Sequence, residues 1–215
     1  MSHPLKPWVY GPFELLLHAE LHFRAGEDFD RRMSMISFDN AIEVSVTTYL
    51  NLHPRLRGGR TYRNVDVETW LANYHTKVDF FFQECIARSV LVLTQHDEVI
   101  WFHEVRNGQY HSGRATIPQR RELEGVRAAA VEIFSVLFEE ADVLEIMDAR
   151  IAALIPPMPL RTPDEDRLID DKHGLIQVCG QLEYASEVLF RLDHNRYRDI
   201  ALAIRDFREE EGGAE

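Results

Sequence analysis

Apolar side chains return mostly at three- and four-residue steps through Phe29, Met33, Ile36, Phe38, Ile42, Val46 and Tyr49. That repeat matches the helical period of 3.6, so residues 27 to 53 are predicted to form one long helix with a stripe to bury. The tail "VSVTTYL" is rich in strand-favouring residues, but it continues the same stripe, and burial commonly overrides local propensity. A helix of this length needs other helices to cover it, and the chain supplies them on both sides.

Upstream, "GPFELLLHAELHFRAG" has a proline near a helix start and Gly26 as a stop signal. Downstream, "HPRLRGGRTYRN" reads as a loop, marked by Pro54 and the Gly58-Gly59 pair. Residues 65 to 87 are predicted to form a third helix, capped by Asn64 or Asp66. "RSVLVLTQ" fits either a continuation of that helix or a short buried strand. Residues 96 to 111 form a fourth predicted helix and residues 115 to 140 a fifth, with Pro118 near its first turn. After residue 140 the chain gives a short amphipathic helix, a proline-rich connector from Pro156 to Pro163, and two more helical segments. These are "LIQVCGQLEYASEVLFRLD" and "NRYRDIALAIRDFREEE", the latter with Asn195 as cap. The expected fold class is all-α: a helical domain over residues 1–140 and an acidic helical extension over residues 141–215.

Charge sharpens that division. The 215 residues carry a formal net charge of −12. Residues 141–215 hold 17 acids and 9 bases, whereas the first 140 hold 19 acids and 15 bases. So acidic a chain is not a general nucleic-acid coat, because non-specific binding rests on many phosphate contacts. A locally basic cleft in the first domain remains compatible with these numbers. No apolar run approaches the ~18 to 20 residues of a membrane span, so no membrane association is expected. Cys85 and Cys179 lie far apart without metal-type spacing, which leads to the expectation of a reducing, cytoplasmic setting.

Three segments carry candidate chemistry. "HAELH" sets His18 and His22 one turn apart, a spacing that suits zinc, but Ala19 stands where the zinc-protease pattern requires Glu, and no third ligand is evident. Surface or interface histidines are the plainer reading, and no metal or other cofactor is expected. "RLRGGRTYR" supplies Arg55, Arg57, Arg60 and Arg63 with no intervening acid. It reads either as a phosphate clamp or as a solvated loop with ion pairs. "HEVRNGQYHSG" is the third segment. With 21 Arg and 10 His in the chain, about one Arg is expected five places before a His by chance, so the pair Arg106 and His111 is uninformative by spacing alone.

The surroundings of that pair resemble the HEPN superfamily, small all-helical domains whose ribonuclease members carry an Arg, a polar residue, a few variable residues and a His. Here these are Arg106, Asn107 and, after Gly-Gln-Tyr, His111. The apolar run "IWF" before the motif, the following helix "PQRRELEGVRAAAVEIFSVLF" and the earlier "FDNAIEVSVTTYL" also resemble the family. The likeness spans roughly residues 10 to 140 and leaves the acidic extension unaccounted for. It implies a HEPN-like bundle that forms a homodimer with a composite cleft and cleaves RNA without metal. A bacterial toxin or antiviral setting, with a regulatory or antitoxin partner, is implied on the same ground.

In that reading Arg106 stabilises charge on the phosphoryl oxygens, His111 moves protons and Asn107 orients either His111 or the phosphate. Tyr110 would stack on a base, while Arg114, Arg120 and Arg121 would meet flanking phosphates. The alternative is a non-catalytic HEPN-like module for dimerisation or partner binding. Helical geometry adds a condition. Five residues turn a helix through ~500°, which leaves Arg106 and His111 about 140° apart. They converge only if the helix breaks, as Gly108 and Gly113 would allow, or if a second copy comes alongside.

Overall fold

The computed structural model describes residues 5–111, 117–154 and 161–212, with only the helical backbone described for Tyr110, His111 and residues 206–212. The described residues are all-α apart from one small hairpin, and the chain divides into two compact units, Met1–Leu154 and Ile155–Glu215.

In the first unit, α1 (Tyr10–Ala25) and α2 (Asp28–Asn51) form a helical hairpin. Gly26 closes α1 in the left-handed region at φ 77°, where its N–H reaches the His22 carbonyl. The long α2 is the axis of the unit, touching α3 (Asn64–Leu71), α4 (Tyr74–Arg88), α5 (His96–His111) and α6 (Arg120–Phe138) as well as α1. Its buried stripe runs through Met35, Phe38, Ile42, Val46 and Tyr49. Phe29 begins the sequence pattern but stays exposed, and Met33 and Ile36 are half-buried. Phe13 and Leu16 of α1, Val78 and Phe81 of α4, and Leu123, Ile133 and Phe134 of α6 complete the core. Burying each such side chain contributes about 1.5–3 kcal/mol.

Three local features differ from the sequence reading. The predicted helix over 65–87 is two helices, because Asn73 makes a capping box: its Oδ1 accepts from the Thr76 N–H at 3.0 Å, and Thr76 Oγ1 accepts from the Asn73 N–H at 3.2 Å. "SVLVLTQ" is neither helix nor strand but a loop, begun by Ser89 in the left-handed region. The first unit also continues beyond residue 140, because α7 (Val143–Leu154) buries Val143, Ile146, Met147 and Ile151 and packs against α1 and α6.

Gly125 lets α5 approach α6 closely. A Cβ there would lie 2.4 Å from the buried Phe102 ring. Gly125→Ala is therefore expected to lower stability by about 1–3 kcal/mol through overpacking, although alanine raises helix preference by ~1 kcal/mol. Urea unfolding checks this, and an unchanged or raised midpoint would show that Phe102 simply moves aside.

The second unit has α8 (Pro163–His173), a β-hairpin, α9 (Ala185–Leu192) and α10 (His194–Gly212) around Ile169, Ala185, Tyr197, Ala201 and Ile204. The helix expected over 175–193 is corrected here. β1 (Leu175–Val178) pairs antiparallel with β2 (Gln181–Tyr184), and only the later part is helical. Cys179 and Gly180 take φ of 51° and 85°, the left-handed pair that a two-residue hairpin turn requires. Asp193, not Asn195, caps α10, accepting from the Arg196 N–H at 2.9 Å. Among the described residues, no helix is long and apolar enough to cross a membrane.

Candidate functional site

The motif helix α5 runs back along α2. His103 meets Asp39, and farther along α5, Gln109 lies beside Phe29, Arg32, Met33 and Ile36. Asp39 is an acid placed on the buried side of α2 and has no solvent exposure. Burial of a carboxylate requires partners, and α5 provides two. His103 Nδ1 lies 3.1 and 3.0 Å from the two Asp39 oxygens, and Arg106 Nε lies 3.5 Å from Oδ2. The His103 ring stacks on Tyr74 of α4, with centroids 3.7 Å apart and planes 12° from parallel. Burial first, and then the Asp39 charge, push the Tyr74 phenol well above its ordinary pKa, so it stays protonated.

This cluster fixes the Arg106 guanidinium from three directions. Besides Asp39, Nη1 donates to Asn107 Oδ1 at 2.9 Å and Nη2 donates to Asn40 Oδ1 at 3.3 Å. The side chain is nevertheless 24% exposed, although its Nε is buried. Asn107 thus orients Arg106 through its amide oxygen. α5 continues unbroken from His96 to His111, through Gly108. Of the two routes by which Arg106 and His111 could converge, a break at Gly108 is not taken, and the two stay about 140° apart around the axis. The side chains of Tyr110 and His111, and all of Gly113 and Arg114, lie outside the described residues.

The arginine loop is largely turned inward. Arg57 is buried, donating to the Leu50 and Arg60 carbonyls at 2.8 Å each and lying over the Tyr62 ring. Arg60 and Arg88 both pair with the buried Glu84, at 2.8 and 2.6 Å. Arg63 makes a two-pronged pair with Asp66. Arg55 alone is exposed without a guanidinium partner among the described residues. The loop also follows the end of α2 at Asn51, and the helical rise sets that end about 16 Å along the axis from Asn40. Within one copy, the structure does not bring these arginines to Arg106.

Arg120 lies 3.9 Å over the Phe23 ring and pairs with Glu124. Arg121 lines a groove whose other charged members are Glu98, Glu122 and Glu124, an arrangement poorly suited to phosphate. His18 and His22 do approach, their ring centroids 4.6 Å apart, but His18 Nδ1 faces Ser37 Oγ and His22 Nδ1 faces Asp30. Burial and the neighbouring His22 lower the His18 pKa. Among the described residues, no group of three or more His, Cys, Asp or Glu is placed to hold a metal ion.

Sequence reading missed Asp39, Asn40, His103 and Tyr74 as the mount for Arg106. The available signal was an acid one position after Phe38 and three before Ile42, inside the stripe that defines the α2 core.

No family model matches the chain, and neither a curated protein nor a solved structure matches it. What the fold and the site define is therefore a class only: an all-α chain with a clamped arginine at the meeting of α2, α4 and α5.

Proposed function

We propose that the chain is a metal-independent endoribonuclease of HEPN type, the effector of a bacterial toxin–antitoxin or antiviral defence system, working in the cytoplasm. Its site would assemble from the Arg106, Asn107 and His111 segments of two copies in a homodimer. The supporting observation is the arginine mount: a guanidinium held by Asp39, Asn40 and Asn107 on a side chain that stays partly exposed, on a helix that runs unbroken to His111. A preorganised cation suits an anionic transition state, because no reorganisation is needed as charge develops. In this reading His111 takes the proton from an RNA 2′-hydroxyl, which attacks the adjacent phosphate. The 5′-oxygen leaves with a proton returned by an acid in the cleft, producing a 2′,3′-cyclic phosphate and a 5′-hydroxyl end.

Purified protein is expected to cut single-stranded RNA in EDTA and leave cyclic phosphate ends, identified by mass spectrometry. Cleavage of an all-2′-deoxy strand, or a requirement for added metal, would overturn the chemistry. The internal pairing of Arg57 and Arg60 and the acidic groove at Arg121 favour the second reading, a non-catalytic dimerisation or partner-binding module. A dimer in light scattering with no cleavage under any of these conditions is the result that reading expects.

A further inference from the structure

The last turn of α4 and the loop joining it to α5 present apolar side chains to solvent. Ile86 is 79% exposed, Leu91 91% and Leu93 88%, with Val90 beside them in sequence. Their exposure does not come from a slack chain. The Val90 N–H reaches the Cys85 carbonyl at 2.9 Å. The Leu93 and Thr94 N–H groups donate to the two carboxylate oxygens of Glu132 on α6, each at 2.8 Å. Val92 turns inward onto the core while Leu91 and Leu93 on either side point out. The backbone is thus anchored with its largest apolar groups outward, a pattern that marks an interaction surface more than a packing fault.

Charge narrows what covers it. Both Glu132 oxygens accept from backbone amides, and Glu139 lies exposed 3.8 Å from Arg88. Asp79 and Asp97 flank His96 just past the loop. Arg88 is itself drawn inward by Glu84. An apolar tip in an acidic surround repels anionic lipid headgroups. It also repels a second copy of this loop, which would bring the same acids. We infer that the α4–α5 loop is a docking surface for a cationic amphipathic helix of a partner protein, whose apolar face covers Leu91, Leu93 and Ile86 while its Lys or Arg residues meet the acidic rim. This surface does not depend on ribonuclease activity.

The test uses the full chain and two fluorescein-labelled amphipathic peptides of identical leucine pattern, one with lysine and one with glutamate on the polar face. Fluorescence anisotropy is expected to show binding of the lysine peptide only, weakening as salt rises. Leu91→Ser with Leu93→Ser should weaken it by at least about tenfold, whereas Leu144→Ser, at an exposed leucine elsewhere, should not. Asp97→Lys with Glu139→Lys should weaken it too. All these positions are exposed, and an unchanged thermal midpoint confirms that the variants are folded.

Equal binding of the two peptides, or of wild type and the double serine variant, would overturn the inference. So would a dimer that the double serine variant dissociates in sedimentation, which would make a second copy the occupant. Flotation with phosphatidylcholine–phosphatidylglycerol vesicles that the double variant abolishes would overturn it in favour of lipid.

Discussion

Asp39→Ala is expected to destabilise the first unit by about 3–5 kcal/mol, the range for removing one partner of a buried charged pair. Asp39 is fully buried, and its two oxygens are the acceptors facing His103 and Arg106. Alanine would leave the imidazole between Tyr74 and an empty space, and would take the carboxylate away from the guanidinium. Neither group can recover full hydration, because His103 is 15% exposed and its ring is stacked on Tyr74. Asp39→Asn preserves shape and one acceptor, so its loss should be smaller, about 1–3 kcal/mol. Chemical denaturation of both variants decides the matter. A loss under about 1 kcal/mol for Asp39→Ala would mean that water or a local shift replaces the carboxylate, and that Arg106 is not mounted as described.

The same cluster shows where sequence was informative and where it was not. The long α2 follows from periodicity because burial of one face decides its structure, and α1 follows from its proline start and Gly26 stop. The hairpin over 175–184 does not, since four-residue strands give too few alternations and Cys179-Gly180 is a weak turn signal beside Asn-Gly. The break at Asn73 depends on a reciprocal cap whose residues also suit a helix surface. The arginine loop stays open in sequence between a phosphate clamp and an ion-paired loop because Glu84, which pairs with Arg60, lies far from it along the chain. For the site, Arg106 and Asn107 were singled out by their neighbourhood in the chain. Asp39, Asn40 and Tyr74 were not, because their relation to α5 exists only once α2 and α4 pack against it.

On the proposed ribonuclease reading, Arg106→Ala is expected to reduce RNA cleavage by about 100- to 1,000-fold, the usual loss when one preorganised charge-stabilising donor is removed. Arg106→Lys is expected to recover little of it. Residues of two helices hold the planar fork: each terminal nitrogen donates to an amide oxygen, and the Asp39 carboxylate lies 3.5 Å from Nε as an ion-pair partner. A lysine ammonium can keep the Asp39 pair, but it cannot hold Asn40 and Asn107 while presenting donors to a phosphate. That contrast separates catalysis from stability, since lysine should retain more of the folded-state ion pair than alanine while both lose activity. Asn40→Ala, which removes only one orienting acceptor, should fall between wild type and Arg106→Lys. Single-turnover cleavage in EDTA, measured beside thermal midpoints, reads both quantities on the same preparations. Full activity in Arg106→Lys would reduce the mount to an ordinary ion pair. Full activity in Arg106→Ala would remove this residue from the chemistry and leave the α2–α4–α5 cluster a structural device.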